Sequence, residues 1–167
     1  MFEIGAYIIY GTKGVCCLED ITKLHMKGAD WNRLYYVLTP LGDRKGKIYV
    51  PTDNSKVLMR SIMTKKEAEC LLEEMPQIEA LGIPSEKERE AKYKEALHTC
   101  DSRAWVSIIK TLYLRGQERA AQGKKITALD ERYMRTAEHE LYSELALTLG
   151  VSEEQLAREL RARLVQK

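Results

Sequence analysis

The sequence predicts an α+β fold in which a small β-barrel is followed by an all-α helical domain. Before about residue 62, apolar and polar residues alternate, as in Tyr35–Leu38 and Lys47–Pro51. After it, apolar residues recur every three or four positions, and no proline follows Pro84. A period of two is typical of a strand and a period of 3.6 of a helix. We therefore predict two domains, residues 1–62 and residues 63–167.

Four or five short strands are predicted in the first domain: 7–10, 15–24, 33–39 and 47–50, with 57–60 as the candidate fifth. The segment Gly11–Gly14 predicts a hairpin loop between the first two. Pro51 either ends the fourth strand or lies at a sheet edge, since proline cannot donate a hydrogen bond to a neighbouring strand. So few short strands cannot form a large sandwich, which favours a strongly bent SH3-like or Tudor-like barrel.

Helix-start signals predict five helices in the second domain, four of them substantial. Three segments fit the capping box, in which a hydroxyl and a Glu or Gln side chain satisfy free N–H groups at a helix start. These boxes are Thr64–Glu67, Ser85–Glu88 and Ser152–Gln155. Asp101 or Ser102 and then Thr127 are expected to cap two further helices. Trp105 lies on an apolar stripe with Ile108, Ile109 and Leu112, which predicts a core position.

Composition predicts a soluble, cytoplasmic, globular protein. Of 167 residues, 44% are hydrophobic and 31% are charged. No apolar run approaches the ~20 residues that span a bilayer, and the first residues do not resemble a signal peptide. The net charge is +2, and beyond residue 60 there are 18 basic against 19 acidic residues. A DNA-binding surface in the helical domain would therefore have to be a local patch.

The sequence contains no recognisable catalytic, phosphate-loop or metal-binding motif. Its three histidines are isolated from one another. The four cysteines form no CxxC pair, which favours buried or half-buried free thiols over zinc ligands or disulfides. We therefore expect neither an enzyme nor a bound cofactor or metal.

Several motifs, in their order and spacing over roughly residues 2–149, resemble the CarD family of bacterial transcription regulators. In the first domain they are Phe2-x-Ile4-Gly5-x-x-Ile8-Ile9-Tyr10-x-x-x-Gly14-Val15, Tyr36–Leu38 and Lys47–Pro51. In the second they are Tyr93-Lys94-x-x-Leu97, Leu112-x-x-Arg115-x-x-Glu118-Arg119, Asp130-Glu131-Arg132-x-Met134-x-x-Ala137 and Leu141-x-x-Glu144-Leu145-Ala146. The resemblance implies a Tudor-like RNA polymerase interaction domain, shared with the transcription-repair coupling factor, that binds the polymerase β subunit. It also implies that the helical domain contacts promoter DNA at the upstream edge of the transcription bubble and stabilises the open complex.

The resemblance implies polymerase contacts by Lys23, Lys47, Tyr49 and Pro51. In the strand 47–50, Lys47 and Tyr49 alternate onto one face, and a free strand edge can pair with a strand of a partner. Familiar members of the family carry a basic residue where this chain has Tyr49, and another near Leu24 that Lys23 could replace. The alternative is that Tyr49 is barrel surface without a partner.

The resemblance also implies DNA contacts by Lys87, Arg89, Lys92 and Lys94, on a helix that Ser85 is expected to open, and by Arg115 and Arg119. Such cations bind phosphates without reading sequence. The alternatives are a salt-bridged face shared with neighbouring glutamates and, for Arg115 and Arg119, a structural role. Tyr93 is expected in the core.

One departure from the family concerns the tryptophan that wedges into the minor groove at the bubble edge. Arg89 stands at the aligned position of this chain, and arginine cannot replace an apolar wedge in kind. We therefore expect weaker open-complex stabilisation, or a different DNA geometry. The predicted function is binding of the polymerase β subunit and promoter DNA by a protein that is monomeric in solution and has no membrane partner. The alternative is a polymerase-binding adaptor without significant DNA binding.

Overall fold

Residues 1–164, which the computed structural model describes, contain a β-sheet followed by five α-helices. The chain divides into two compact units, Met1–Ile62 and Met63–Lys167. The sheet lies in the first unit and the helices lie in the second. The predicted α+β class is confirmed.

The first unit is a five-stranded antiparallel sheet with the order β4-β3-β2-β1-β5. Its strands are β1 (Tyr7–Tyr10), β2 (Val15–Lys23), β3 (Leu34–Pro40), β4 (Ile48–Pro51) and β5 (Met59–Ser61). Strands β4 and β5 form the two edges, and within residues 1–164 no ladder joins them. The sheet is therefore open, and closure into a barrel stays a prediction.

A tight turn at Gly11–Lys13 joins β1 to β2, as the glycine spacing predicts. Gly11 has a φ of +48°, in the left-handed region that favours glycine, and an added Cβ would lie 2.7 Å from Cγ1 of Val57. Glycine is thus required here by both conformation and space.

Alternation along the strands builds the core of the sheet. The buried cluster consists of Ile8, Cys16, Leu18, Tyr36, Leu38 and Val50. The predicted last strand, 57–60, is shifted to Met59–Ser61. The reason is a side-chain turn: the Asn54 amide donates to Val57 O at 2.8 Å, and Asn54 Oδ1 accepts from Lys56 N at 3.0 Å. These bonds hold Val57 in the loop.

The second unit contains α1 (Lys65–Glu74), α2 (Arg89–His98), α3 (Ser102–Ala121), α4 (Ala128–Leu149) and α5 (Glu153–Leu164). Four predicted caps are confirmed. Thr64 forms a reciprocal box with Glu67, and Ser152 forms one with Gln155. The side chains of Asp101 and Thr127 accept from backbone N–H groups at the starts of α3 and α4.

The predicted capping box at Ser85 is wrong. The segment Glu86–Glu88 is a 3₁₀ turn, and α2 begins only at Arg89. Ser85 Oγ donates to the Glu88 carboxylate instead of accepting from a backbone N–H. Glu86 binds side chains of α2 and α3, and this tertiary ion pairing overrides the local capping signal. Lys87 therefore lies outside α2 and does not share a helical face with Lys94.

The helical core forms where α3 packs against α4. Trp105 and Tyr93 are both fully buried, which confirms the core positions predicted for them. Lys110 of α3 is also buried, and its ammonium group donates to the carbonyls of Met75 at 3.0 Å and Pro76 at 3.2 Å, and to that of Ile78. One buried cation thus satisfies the carbonyl groups that follow α1.

All four cysteines are thiols that take no part in a disulfide, as predicted. Cys16 and Cys100 are buried and Cys17 is half-buried, but Cys70 is exposed on α1 because it lies off the apolar stripe formed by Ala68, Leu71 and Leu72. Among residues 1–164, no helix combines the length and apolarity needed to cross a bilayer.

Candidate functional site

Strand β4 forms one edge of the sheet, and its outer side has no neighbouring strand within the described residues. Tyr49 lies opposite Val37, and Thr52 N donates to Leu34 O at 3.0 Å. Hydrogen-bonded and non-hydrogen-bonded pairs alternate along an antiparallel ladder. Counting back from Thr52, Val50 is in a hydrogen-bonded pair, whereas Pro51 and Tyr49 are not. The peptide groups of Tyr49 therefore face out of the sheet.

Three of the predicted polymerase-binding residues lie together along β4. Tyr49 is 42% exposed, while its neighbour Val50 is 2% exposed and packs in the core. Lys47 precedes the strand, pairs with Glu19 and donates to Thr39 Oγ1 at 3.0 Å. The hydrogen bond from Lys47 lowers the pKa of Glu19. The Lys47 ammonium is thus held on the face of the sheet that carries Tyr49.

Lys23, the fourth predicted polymerase-binding residue, lies elsewhere. It is exposed at the end of β2, opposite Leu34. Two residues earlier, Ile21 packs against the buried cluster, so Lys23 takes the core-side face of the sheet. Tyr49 takes the other face. The structure therefore does not bring Lys23 together with the β4 residues.

Arg89 and Arg115, two of the predicted DNA-binding residues, meet at one carboxylate. Glu86 Oε1 accepts from Arg89 Nη2 and from Arg115 Nη1, each at 2.8 Å. Behind this carboxylate, Arg89 Nη1 donates to the Tyr93 hydroxyl at 2.9 Å, and Arg115 Nε lies 2.7 Å from Asp130 Oδ2. The five residues, defined here as the arginine cluster, link the 3₁₀ turn to α2, α3 and α4.

Electrostatics in the arginine cluster follow from this geometry. The hydrogen bonds from Arg89 and Arg115 lower the pKa of Glu86 from its ordinary 4.5 to about 2. The same carboxylate raises the pKa of both arginines, and burial raises the pKa of Tyr93. The Arg89 and Arg115 side chains are only 14% and 18% exposed, whereas that of Glu86 is 69% exposed. Both cations are therefore nearly covered, with the carboxylate on the solvent side.

The remaining predicted DNA-binding residues are more exposed. Lys87 is exposed on the 3₁₀ turn. On α2, Lys92 Nζ lies 3.6 Å from Glu95 Oε2 and Lys94 Nζ lies 3.6 Å from Glu90 Oε1. Arg119 Nε donates to Lys125 O at 2.8 Å, which closes the turn after α3. None of these three contacts involves the Glu86 carboxylate that joins Arg89 to Arg115.

Comparison with known protein families gives one match, over residues 2–63, to the family described as the CarD-like/TRCF RID domain. We refer to residues 2–63, which are similar to this family, as the RID domain. A search of curated proteins finds no match to the chain. The resemblance of the first unit to the CarD family is thereby confirmed, and that of the helical unit stays a prediction.

The segment that matches the RID family contains all five strands of the sheet, including edge strand β4. The outward-facing peptide groups of Tyr49 thus lie in the segment that matches this family. Lys23, Lys47, Tyr49 and Pro51 lie in the same segment, and their binding role stays a prediction.

Sequence reasoning missed Asp130 as a partner in the arginine cluster, and it considered Glu86 only as part of a salt-bridged helix face. Asp130 is 1% exposed although it stands in the first turn of α4, where acidic residues usually face solvent. Its position one turn before Met134 and two before Ala137 could have placed it near the apolar stripe of α4. Glu86 carried no such signal, since the four residues that follow it, 87–90, are all charged.

Proposed function

We propose that this protein is a transcription regulator that binds the RNA polymerase β subunit through edge strand β4 of its RID domain. The helical unit contacts promoter DNA and modulates the stability of the open complex. The observation that carries the proposal is a free strand edge, with outward-facing peptide groups at Tyr49, inside the segment that matches the RID family. The activity is binding without covalent chemistry.

The residues along β4 suit docking by strand addition, in which a strand of the partner pairs with the edge of the sheet. A partner strand gains affinity from main-chain hydrogen bonds and specificity from alternate side chains. Tyr49 offers both: its peptide groups face outward and its ring is 42% exposed. The ion pair with Glu19 holds Lys47 beside that ring. Lys23 contributes, if at all, from a separate surface.

DNA contact rests on the cations of the 3₁₀ turn and of α2. Lys87, Lys92 and Lys94 can reach phosphates after modest side-chain rotation, because the α2 lysines are held only by long ion pairs at the surface. Arg89 does not take the place of the apolar wedge, since its side chain is only 14% exposed and its guanidinium group is bound to Glu86 and Tyr93. We therefore expect shorter-lived open complexes than wedge-bearing family members give.

A polymerase-binding adaptor that does not bind DNA is the second candidate. It is favoured by one observation: Arg89, Arg115, Lys92 and Lys94 all have carboxylate partners within the helical unit. Steep loss of promoter affinity with rising salt supports DNA binding, because phosphate contacts release counterions. A flat salt dependence supports the adaptor.

The docking proposal is tested by two substitutions at one position in the full chain. Tyr49→Val removes the ring but keeps the outward N–H, whereas Tyr49→Pro removes both. Proline is tolerated at an edge where the N–H does not bond within the sheet. Binding to purified β subunit is measured by calorimetry, and far-UV circular dichroism checks the fold.

We expect Tyr49→Pro to weaken binding to the β subunit at least about tenfold more than Tyr49→Val does, since it also removes a main-chain hydrogen bond. If the two variants bind equally well and both are folded, docking does not use the edge of β4. If the unsubstituted chain shows no affinity for the β subunit, the proposed function is wrong as a whole.

A further inference from the structure

The arginine cluster has the form of an anion-binding site whose front is occupied by a side chain of the protein. Arg89 and Arg115 come from different helices, and both donate to the same oxygen of Glu86 at 2.8 Å. Arg89 also donates through Nε to Glu86 Oε2 at 3.1 Å. Two guanidinium groups that converge on one carboxylate present the donor arrangement that proteins use to bind phosphate groups.

The two arginines are held from behind by groups that do not involve Glu86. The buried Tyr93 hydroxyl accepts from Arg89, and the buried Asp130 carboxylate pairs with Arg115. Tyr93 also donates to Asp130 Oδ1 at 3.1 Å. These contacts fix both guanidinium groups in place. Departure of Glu86 therefore leaves a preformed pair of donors instead of two free side chains.

Glu86 is the mobile member of the cluster on structural grounds. Its side chain is 69% exposed, and it stands on a short 3₁₀ turn outside α2. It borders an open groove of about 330 Å³ whose lining includes Arg89, Arg115, Leu114 and Glu118. Rotation of one exposed side chain into solvent would open the site without disturbing a helix.

The charges favour an anion only after Glu86 leaves. Asp130 balances Arg115 from behind, and Glu86 balances Arg89 from the front. Without Glu86, Arg89 loses the carboxylate with which it forms an ion pair, while Glu118 remains in the lining of the groove. A phosphate group, with more acceptor oxygens than a carboxylate, can then bond to both guanidinium groups at once.

We propose that Arg89 and Arg115 form a phosphate-binding site that Glu86 occupies in the free protein and that a phosphate group can enter by displacing it. The ligand class is a phosphate anion, either of the DNA backbone or free in solution. If the phosphate belongs to DNA, the inference rests on the proposed function. In that case Arg89 binds a backbone phosphate and does not act as a wedge in the minor groove. Glu86 thus acts as an autoinhibitory carboxylate.

The test uses Glu86→Gln in the full chain, with Glu88→Gln as the matched control. Both variants remove one negative charge from the same 3₁₀ turn, but Glu88 bonds to Ser85 and not to either arginine. Binding of a fluorescent DNA duplex is measured by anisotropy at fixed salt. Binding of inorganic phosphate is followed through the NMR signals of the arginine Nε–H groups, and circular dichroism confirms the fold of every variant.

We expect Glu86→Gln to raise affinity for the duplex about five- to tenfold, the gain expected from one added charge-assisted contact. Glu88→Gln should raise it less than about twofold. The gain should disappear in the double variants Glu86→Gln/Arg89→Gln and Glu86→Gln/Arg115→Gln. Inorganic phosphate should shift the signals of Arg89 and Arg115 in Glu86→Gln at lower concentration than in the unsubstituted chain.

The outcomes separate this inference from the proposed function. Phosphate binding in Glu86→Gln without any duplex binding supports the site with free phosphate as its ligand, and contradicts promoter contact. Duplex binding that responds equally to Glu86→Gln and Glu88→Gln, with no phosphate-induced shift at either arginine, overturns the site and leaves the proposed function standing. A gain that survives loss of both arginines also overturns it.

Discussion

At the scale of single residues, the most strongly perturbed exposed group is Glu86. Its pKa is about 2, below the ordinary 4.5, because Arg89 and Arg115 donate hydrogen bonds to its charged form. A carboxyl group with a lowered folded-state pKa contributes stability above its unfolded pKa and loses that contribution as pH falls through its folded pKa. The contribution is therefore complete above about pH 4.5 and is lost towards pH 2.

This pH window gives the first prediction. The free energy of unfolding of the unsubstituted chain should exceed that of Glu86→Gln at pH 5, and the difference should shrink steadily as the pH falls towards 2. Urea titrations of both proteins at several pH values measure it. A difference that stays constant over that range would show that the two arginines do not stabilise the Glu86 carboxylate.

Lys110 gives the second prediction at this scale. Its buried ammonium group donates to three carbonyl groups that follow α1, although burial lowers its pKa. Lys110→Met should lower the free energy of unfolding by about 2–3 kcal/mol, since buried carbonyl groups lose a charged donor. Lys66→Met, at an exposed position on α1, is the control and should change it by less than about 0.5 kcal/mol. Equal effects of the two substitutions would contradict the role of Lys110.

At the scale of elements, the structure distinguishes two capping patterns that look alike in the sequence. Thr64 forms a complete box with Glu67, whereas the Ser85 hydroxyl bonds to the Glu88 side chain ahead of a 3₁₀ turn. Thr64→Ala should therefore cost about 1 kcal/mol of stability, because it leaves an N–H at the start of α1 without a partner. Ser85→Ala should cost much less.

Thermal or urea unfolding of the two alanine variants checks the capping prediction. The comparison is matched, since both substitutions remove a hydroxyl that precedes a helical segment. Comparable losses would mean that Ser85 caps a helix in solution as Thr64 does.

Local signals in the sequence were sufficient for most elements. Caps at Thr64, Asp101, Thr127 and Ser152 were predicted from side-chain chemistry within one turn, and strands from alternation over a few residues. The start of α2 was missed because it depends on Arg115, which lies 29 residues from Glu86. Lys23 and Tyr49 lie on opposite faces of the sheet, and this follows from the registers of the pairs β2–β3 and β3–β4. Periodicity within one strand does not give the register between strands.

The candidate site was less predictable than the fold for the same reason. The family resemblance implied DNA contacts by Arg89 and Arg115, with a structural role as the alternative for Arg115. Their exposure is set by contacts with Tyr93, Asp130 and Glu86. A lysine or arginine that binds DNA and one that is paired with a carboxylate inside the protein occur at similar spacings along a helix. Only the tertiary contacts separate them.

At the scale of the whole molecule, the chain consists of two units, each with its own buried core. Tethering one binding unit to another raises the effective concentration of the second at its target. If the RID domain docks on the β subunit, a helical unit with weak intrinsic affinity can still act on DNA at the promoter. The small net charge of +2 is therefore compatible with DNA contact in the bound state.

This division predicts the behaviour of residues 1–62 alone. The fragment should fold and bind the β subunit within about threefold of the affinity of the full chain, since the proposed contacts lie in that unit. Adding promoter DNA should strengthen the interaction of polymerase with the full chain but not with the fragment. A folded fragment without affinity for the β subunit, beside a full chain that binds, would place the docking surface outside the RID domain.

Pro51 has a consequence for how a bound strand would be aligned. Its peptide groups point away from β3, as those of Tyr49 do, but it has no N–H to offer. Its carbonyl oxygen already accepts from Asn54 N at 2.9 Å in the turn that follows β4. The outward side of β4 therefore offers a partner strand neither a donor nor an unoccupied acceptor at its last position. If a partner strand paired with β4 in a shifted register, one of its carbonyl groups would lie opposite Pro51 without a hydrogen bond. We expect Pro51 to select one alignment and to keep the paired stretch short, so that the complex forms with a defined geometry and still dissociates readily.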